Sequence, residues 1–135
     1  MALISRFEEI EGWQKARELT RTIYQITSQG GFARDFSLKD QIRRSGVSSM
    51  ANIAEGFERE GNKEFVQFLT HSKGSAAEVK SHLYVALDAR FITDSQFEST
   101  YQLADETGRL IGGFIRYLES SPYPGRKFRR TQAAR

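Results

Sequence analysis

Apolar positions recur at helical spacing in four segments, and no segment alternates at period two for long. Both prolines, Pro122 and Pro124, lie beyond Ser121, so no proline interrupts a helix before that point. The pattern predicts an all-α fold. The first segment covers about 12–29. Trp13, Ala16, Thr20, Ile23 and Thr27 follow a 3-4 spacing, and Leu19, Tyr24 and Ile26 widen the apolar face. Gly30 and Gly31 are expected to end it, with residues 30–36 as a loop pinned by Phe32 and Phe36. The second segment covers about 38–56, with Ser37 as N-cap and Asp40 in a weak capping box. Leu38, Ile42, Ser45, Ser49, Asn52 and Ile53 share its inner face.

The third segment covers about 63–90, with Asn62 as cap, and would span roughly 42 Å at 1.5 Å per residue. Phe65, Phe68, Leu69, Ser72, Ala76, Val79, Leu83, Ala86 and Leu87 form its core stripe. Thr93 and Gln96 make a capping box for the fourth segment, about 94–120. There Phe97, Tyr101, Ala104, Gly108, Ile111, Ile115 and Leu118 alternate by four and three, a coiled-coil-like seam.

The second segment holds many small residues: Ser45, Gly46, Ser48, Ser49, Ala51 and Ala54. Glycine inside a helix costs about 1 kcal/mol relative to alanine, so such a run implies that another backbone comes close. The short connections predict antiparallel neighbours. The expected architecture is therefore an antiparallel up-down-up-down four-helix bundle over residues 1–121. Val66, Ala77 and Tyr84, and then Leu103, Leu110, Phe114 and Tyr117, form further stripes on the last two helices. They call for either a tightly shared core or a subunit interface.

Composition adds limits. At 135 residues the chain is read as one domain, and it has no cysteine, which excludes disulfides and thiolate metal sites. That fits a reducing cytoplasm. No run approaches a membrane span, and the N-terminus lacks the features of a signal peptide. The net charge of +3 divides unevenly. Residues 1–121 hold 15 Lys+Arg and 17 Asp+Glu, whereas residues 122–135 hold Arg126, Lys127, Arg129, Arg130 and Arg135 with no acid. The body is thus −2 and the tail +5. The tail is read as a solvated, disordered end able to bind nucleic acid or acidic surfaces by counterion release.

Candidate chemistry is sparse. A di-iron bundle needs Glu-x-x-His motifs, but Phe68 and Val79 stand three residues before His71 and His82. Those histidines are separated by about 16 Å along a helix, too far to share a metal. Glu78 and His82 read as a surface hydrogen-bonded pair. Gly74-Ser75-Ala76-Ala77 is no nucleophile elbow, and the glycines of the fourth helix lack a following Lys-Ser/Thr. Ser75 and Gly74 read instead as a close-packing point against the second helix. No enzyme activity, cofactor or metal is expected.

Two polar sets remain. Asn52, Glu55 and Arg59 form a structural cluster, with Asn52 fixing register or capping a neighbouring backbone and Glu55 pairing with Arg59. Lys39, Arg43 and Arg44 make a basic start to the second helix, where the dipole favours anions. Arg17 and Arg21 are another basic pair on the first. No aromatic interleaving among these cations suggests base stacking.

The stretch Ser48-Ser-Met-Ala-Asn-Ile-Ala-Glu-Gly-Phe-Glu-Arg59 closely resembles the signature of a bacterial four-helix-bundle family. That family is named after proteins encoded in intervening sequences of 23S ribosomal RNA genes. Gly12-Trp-Gln-Lys-Ala16, Gln41-Ile-Arg-Arg44, Lys63-Glu-Phe-Val-Gln-Phe-Leu69 and Lys73-Gly-Ser-Ala-Ala-Glu78 match it in order, so the likeness spans about 7–118. Many relatives carry a proline where Met50 stands. The resemblance implies an antiparallel four-helix bundle, often a ring-shaped homopentamer, and no enzyme. The family name records a gene location. A related group, the accessory variability determinants of diversity-generating retroelements, forms basic pentameric barrels that bind nucleic acid and a reverse transcriptase.

The expected function is therefore a non-enzymatic, homo-oligomeric interaction protein of the bacterial cytoplasm. Its partners would be RNA, DNA or a reverse-transcriptase-like protein, met through Arg43, Arg44 and Arg59 with Arg126, Lys127, Arg129 and Arg130. The alternative is a structural or protein-partner module with no nucleic-acid role.

Overall fold

The computed structural model describes residues 4–121, and the tail with its predicted basic cluster lies outside them. Among the described residues the fold is all-helical, with no strand. A 3-10 turn, Phe7–Glu9, leads into α1 (Glu11–Ile26). Then follow α2 (Gly30–Arg34), α3 (Phe36–Phe57), α4 (Asn62–Asp88) and α5 (Asp94–Glu119). Each of the four long helices packs on two others: α1 on α3 and α5, and α4 on α3 and α5.

The core has two apolar clusters. Leu19, Ile23, Phe32, Leu38, Ile42, Val79, Leu83 and Ala104 build one. Ile10, Ala16, Ile53, Phe57, Phe65, Leu69, Ile111 and Leu118 build the other. The small residues of α3 meet their neighbours through hydroxyls. Ser72 Oγ donates to the Ser49 carbonyl at 2.6 Å, and Ser75 Oγ donates to Ser48 Oγ at 2.9 Å. Buried Thr20 and Ser49 donate to carbonyls of their own helices, at 2.8 and 2.7 Å. Each hydroxyl is thus satisfied without water, which burial requires.

Helix ends account for most departures from the sequence-based expectation. Residues 30–36 do not form a plain loop, because Gly30, at φ +54°, turns the chain into α2. Phe32 is fully buried there as expected, whereas Phe36 is 73% exposed and pins nothing. The cap of α3 is Asp35, whose Oδ1 accepts from the Leu38 amide at 3.0 Å. The helix starts early enough that Ser37 and Asp40 lie inside it. Asn62 is the first residue of α4 rather than its cap, and its Nδ2 donates to the Leu118 carbonyl on α5 at 3.3 Å. Gly74 faces open space, so only Ser75 makes the expected close contact. Tyr24 is 42% exposed instead of joining the core.

The Thr93–Gln96 capping box forms as expected. Before it, α4 ends with Arg90 at φ 62°, Phe91 N donating to the Ala86 carbonyl and Arg90 N to the Leu87 carbonyl. This Schellman arrangement aims Phe91 at Phe32, where the rings stack at 5.5 Å and hold α2 down. No helix among the described residues is long and apolar enough to cross a membrane.

Candidate nucleic-acid interface

The feature that organises one face is the close approach of α1 and α3 at Gly46. A Cβ there would lie 2.9 Å from Ile23 Cδ1 and 3.2 Å from Thr20 Oγ1. Three residues earlier, Arg43 is drawn against α1. Its Nε donates to Thr27 Oγ1 at 2.8 Å and its Nη2 to Ser28 Oγ at 3.2 Å. The guanidinium lies 4.2 Å from the Tyr24 ring centroid. Thr27 is fully buried and donates its own proton to the Ile23 carbonyl, so its oxygen is a fixed acceptor.

Other cations repeat the arrangement. Lys39 Nζ donates to the Ala33 carbonyl at 3.0 Å and sits 4.9 Å from the Phe36 centroid. Arg17 lies 5.9 Å from the Trp13 centroid. Arg21 on α1 and Arg34 at the end of α2 are exposed. Among the described residues none of these five cations has a carboxylate partner. The nearby acids are engaged elsewhere: Asp35 caps α3, Asp40 pairs with Arg44, and Glu18 pairs with Lys15.

The chemistry follows. Neutral oxygens and ring faces orient a cation without cancelling its charge. Arg43 uses two of its five N–H donors in these bonds, which leaves three others. Three of the cations lie against rings: Arg17 on Trp13, Arg43 on Tyr24, and Lys39 on Phe36. Two of these pairs lie at i, i+4 and i, i+3 and were visible as spacings. The Tyr24–Arg43 pair spans two helices and was not.

The other predicted residues lie apart. Arg44 is bound to Asp40 at 2.8 Å, and its pKa is raised, first by that hydrogen bond and then by the carboxylate charge. Arg59 pairs with Glu55 at 3.1 Å and lies 4.7 Å from the Phe68 centroid. It stands two residues beyond the end of α3, whereas Arg43 lies in the second turn of that helix. Arg126, Lys127, Arg129 and Arg130 lie outside the described residues. Asn52 does not cap a neighbouring helix: its Nδ2 donates to the carbonyl and hydroxyl of Ser48, at 2.9 and 3.0 Å. It borders a shallow cavity of about 580 Å³ with Phe68, His71, Ser75 and Glu78.

Three cations beside α5 are held differently. Lys80 Nζ and Arg109 Nε reach Asp105 at 2.7 and 2.8 Å. Lys15 lies between Glu18 at 3.1 Å and Glu106 at 3.6 Å. The Asp105 carboxyl is held below its ordinary value, first by the hydrogen bond from Lys80 and next by that from Arg109. The Lys15 pKa is raised, chiefly by its hydrogen bond to Glu18.

The fold is all-helical, and Arg17, Lys39 and Arg43 each lie against an aromatic ring. The family model described as 23S rRNA-intervening sequence protein matches residues 8–113, and the chain belongs to that family. No curated protein matches it. It is similar to a crystal structure from Bacteroides thetaiotaomicron, described as a protein with unknown function from the S23 ribosomal protein family. The two share 26% identity and a TM-score of 0.71, over 78% of this chain and 98% of that one.

Proposed function

We propose that this chain is a non-enzymatic, homo-oligomeric protein that binds RNA or DNA in the cytoplasm. In this reading it is an antiparallel up-down-up-down four-helix bundle assembled as a ring, with five copies the expected number. The observation that carries nucleic-acid binding is the α1/α3 face, where Arg17, Arg21, Arg34, Lys39 and Arg43 have no carboxylate partner among the described residues. Cations left in that state bind phosphates and release counterions. The tail arginines would add to the same field.

Self-assembly is supported by apolar surface that one copy leaves uncovered. Tyr84 and Val85 on α4 are each 51% exposed. Leu110, Phe114 and Tyr117 on α5 border an open groove of about 530 Å³ with Ile4 and Ile10. The helix pairing and the short connections support the bundle topology.

Size exclusion with light scattering tests both parts, run with and without a mixed RNA and DNA pool. The expected result is a multimer that gains mass with nucleic acid at low salt and loses it at high salt. A multimer that ignores nucleic acid at low salt would overturn the binding role and point to a protein partner. A monomer would overturn the assembly.

A further inference from the structure

Phe36 is the most exposed large apolar side chain among the described residues, at 73%. Isolated exposed apolar residues are common and by themselves signify nothing. What surrounds Phe36 is less ordinary. It borders an open cavity of about 540 Å³ with Ser37, Lys39, Gln41 and Arg43. Asp40 also borders it, but its carboxylate is bound to Arg44. Lys39 and Arg43 therefore supply two cations, both oriented by neutral oxygens. Lys39 lies over the Phe36 ring at 4.9 Å, and most of the ring surface is open to solvent.

We infer that Phe36, Lys39 and Arg43 form a subsite for one unpaired nucleotide, with the base stacked on Phe36 and the flanking phosphates held by Lys39 and Arg43. This rests on the nucleic-acid reading above and narrows it to single-stranded or looped RNA or DNA. The reason is geometric. Bases in a duplex are already stacked on one another and leave the phenyl ring nothing to stack with, whereas an unpaired base presents a free π-face. The cations alone would bind duplex and single strand alike, so the ring is what discriminates. Ser37 and Gln41 also line the cavity, with Gln41 Nε2 donating to Ser37 Oγ at 3.3 Å, and the Gln41 amide oxygen can meet a base edge.

The test is fluorescence anisotropy of the full chain with an unstructured pyrimidine RNA, its DNA counterpart, and a blunt duplex of equal phosphate count. Wild type is expected to bind the single strands roughly tenfold or more tighter than the duplex. Phe36→Ala should lose that margin while keeping duplex affinity and the salt slope, because no charge is removed. Phe36→Trp should keep the margin. The exposure of Phe36 leaves the fold intact in both variants, which an unchanged melting curve would verify. Equal wild-type affinity for single strand and duplex, unaltered by Phe36→Ala, would overturn the stacking subsite and leave the binding role standing. No binding to any of the three at low salt would overturn both.

Discussion

Arg43 and Lys39 on the α1/α3 face and the Lys80, Arg109 and Lys15 cluster beside α5 hold their charges in opposite ways. On the α5 side, Lys80 and Arg109 converge on Asp105, and Lys15 on Glu18 and Glu106. On the α1/α3 face, Arg43 and Lys39 are held by Thr27, Ser28 and the Ala33 carbonyl, with aromatic rings beneath. A carboxylate partner orients a cation and cancels its field. A hydroxyl, a carbonyl or a ring orients it and leaves the field in place. The contrast explains how a body with two more acids than bases can carry a basic face. Distribution, not net charge, decides what such a surface attracts.

The largest expected effect breaks the α1/α3 face at its origin. Gly46→Leu drives a side chain into Ile23 and Thr20, and should cost about 1–3 kcal/mol as overpacking does. Thermal unfolding followed by circular dichroism would register a melting point several degrees lower. A melting point at or above wild type would mean that the helices do not approach as described.

A smaller effect compares the two regions directly. Arg43→Ala should weaken nucleic-acid binding several-fold and reduce the log–log salt slope by about 0.7 for single strands, the loss of one phosphate contact. Lys80→Ala, which removes a cation already paired, should leave both unchanged. Equal losses from the two variants would erase the distinction between paired and unpaired cations.

The smallest effect concerns pH. Asp105 has a depressed carboxyl pKa, so its contribution to stability is present above the ordinary carboxylate range. That contribution is lost as pH falls below about 4 through the depressed value. Urea unfolding between pH 7 and pH 3 should show a shallower acid loss in Asp105→Asn than in wild type. Identical acid limbs would show that the Lys80–Asp105–Arg109 cluster does not contribute.

Much of the fold was legible along the chain because it depends on near neighbours. The 3-4 spacing of Ala16, Thr20 and Ile23 marked the inner face of α1, and Thr93 with Gln96 marked the start of α5. Where legibility failed, several local signals competed. Asp35 and Ser37 are both good cap residues for α3, as Asn62 is for α4, and which residue caps depends on where the preceding turn leaves the chain. The candidate interface was legible only in part. Asp40 stands four residues before Arg44 and neutralises it, whereas the partners of Arg43 come from α1.

The sequence by itself determined the all-helical class, most core positions and the family, since periodicity, the absence of early prolines and the Ala51-Asn-Ile-Ala-Glu-Gly56 motif are local properties. Only the tertiary structure decided the neutral partners that hold Arg43. That depends on the approach of α1 to α3 at Gly46, which sets Thr27, Ser28 and Tyr24 around Arg43 from 15 to 19 residues away. Partners that meet across two helices depend on how the helices pack, and no spacing along either helix encodes that.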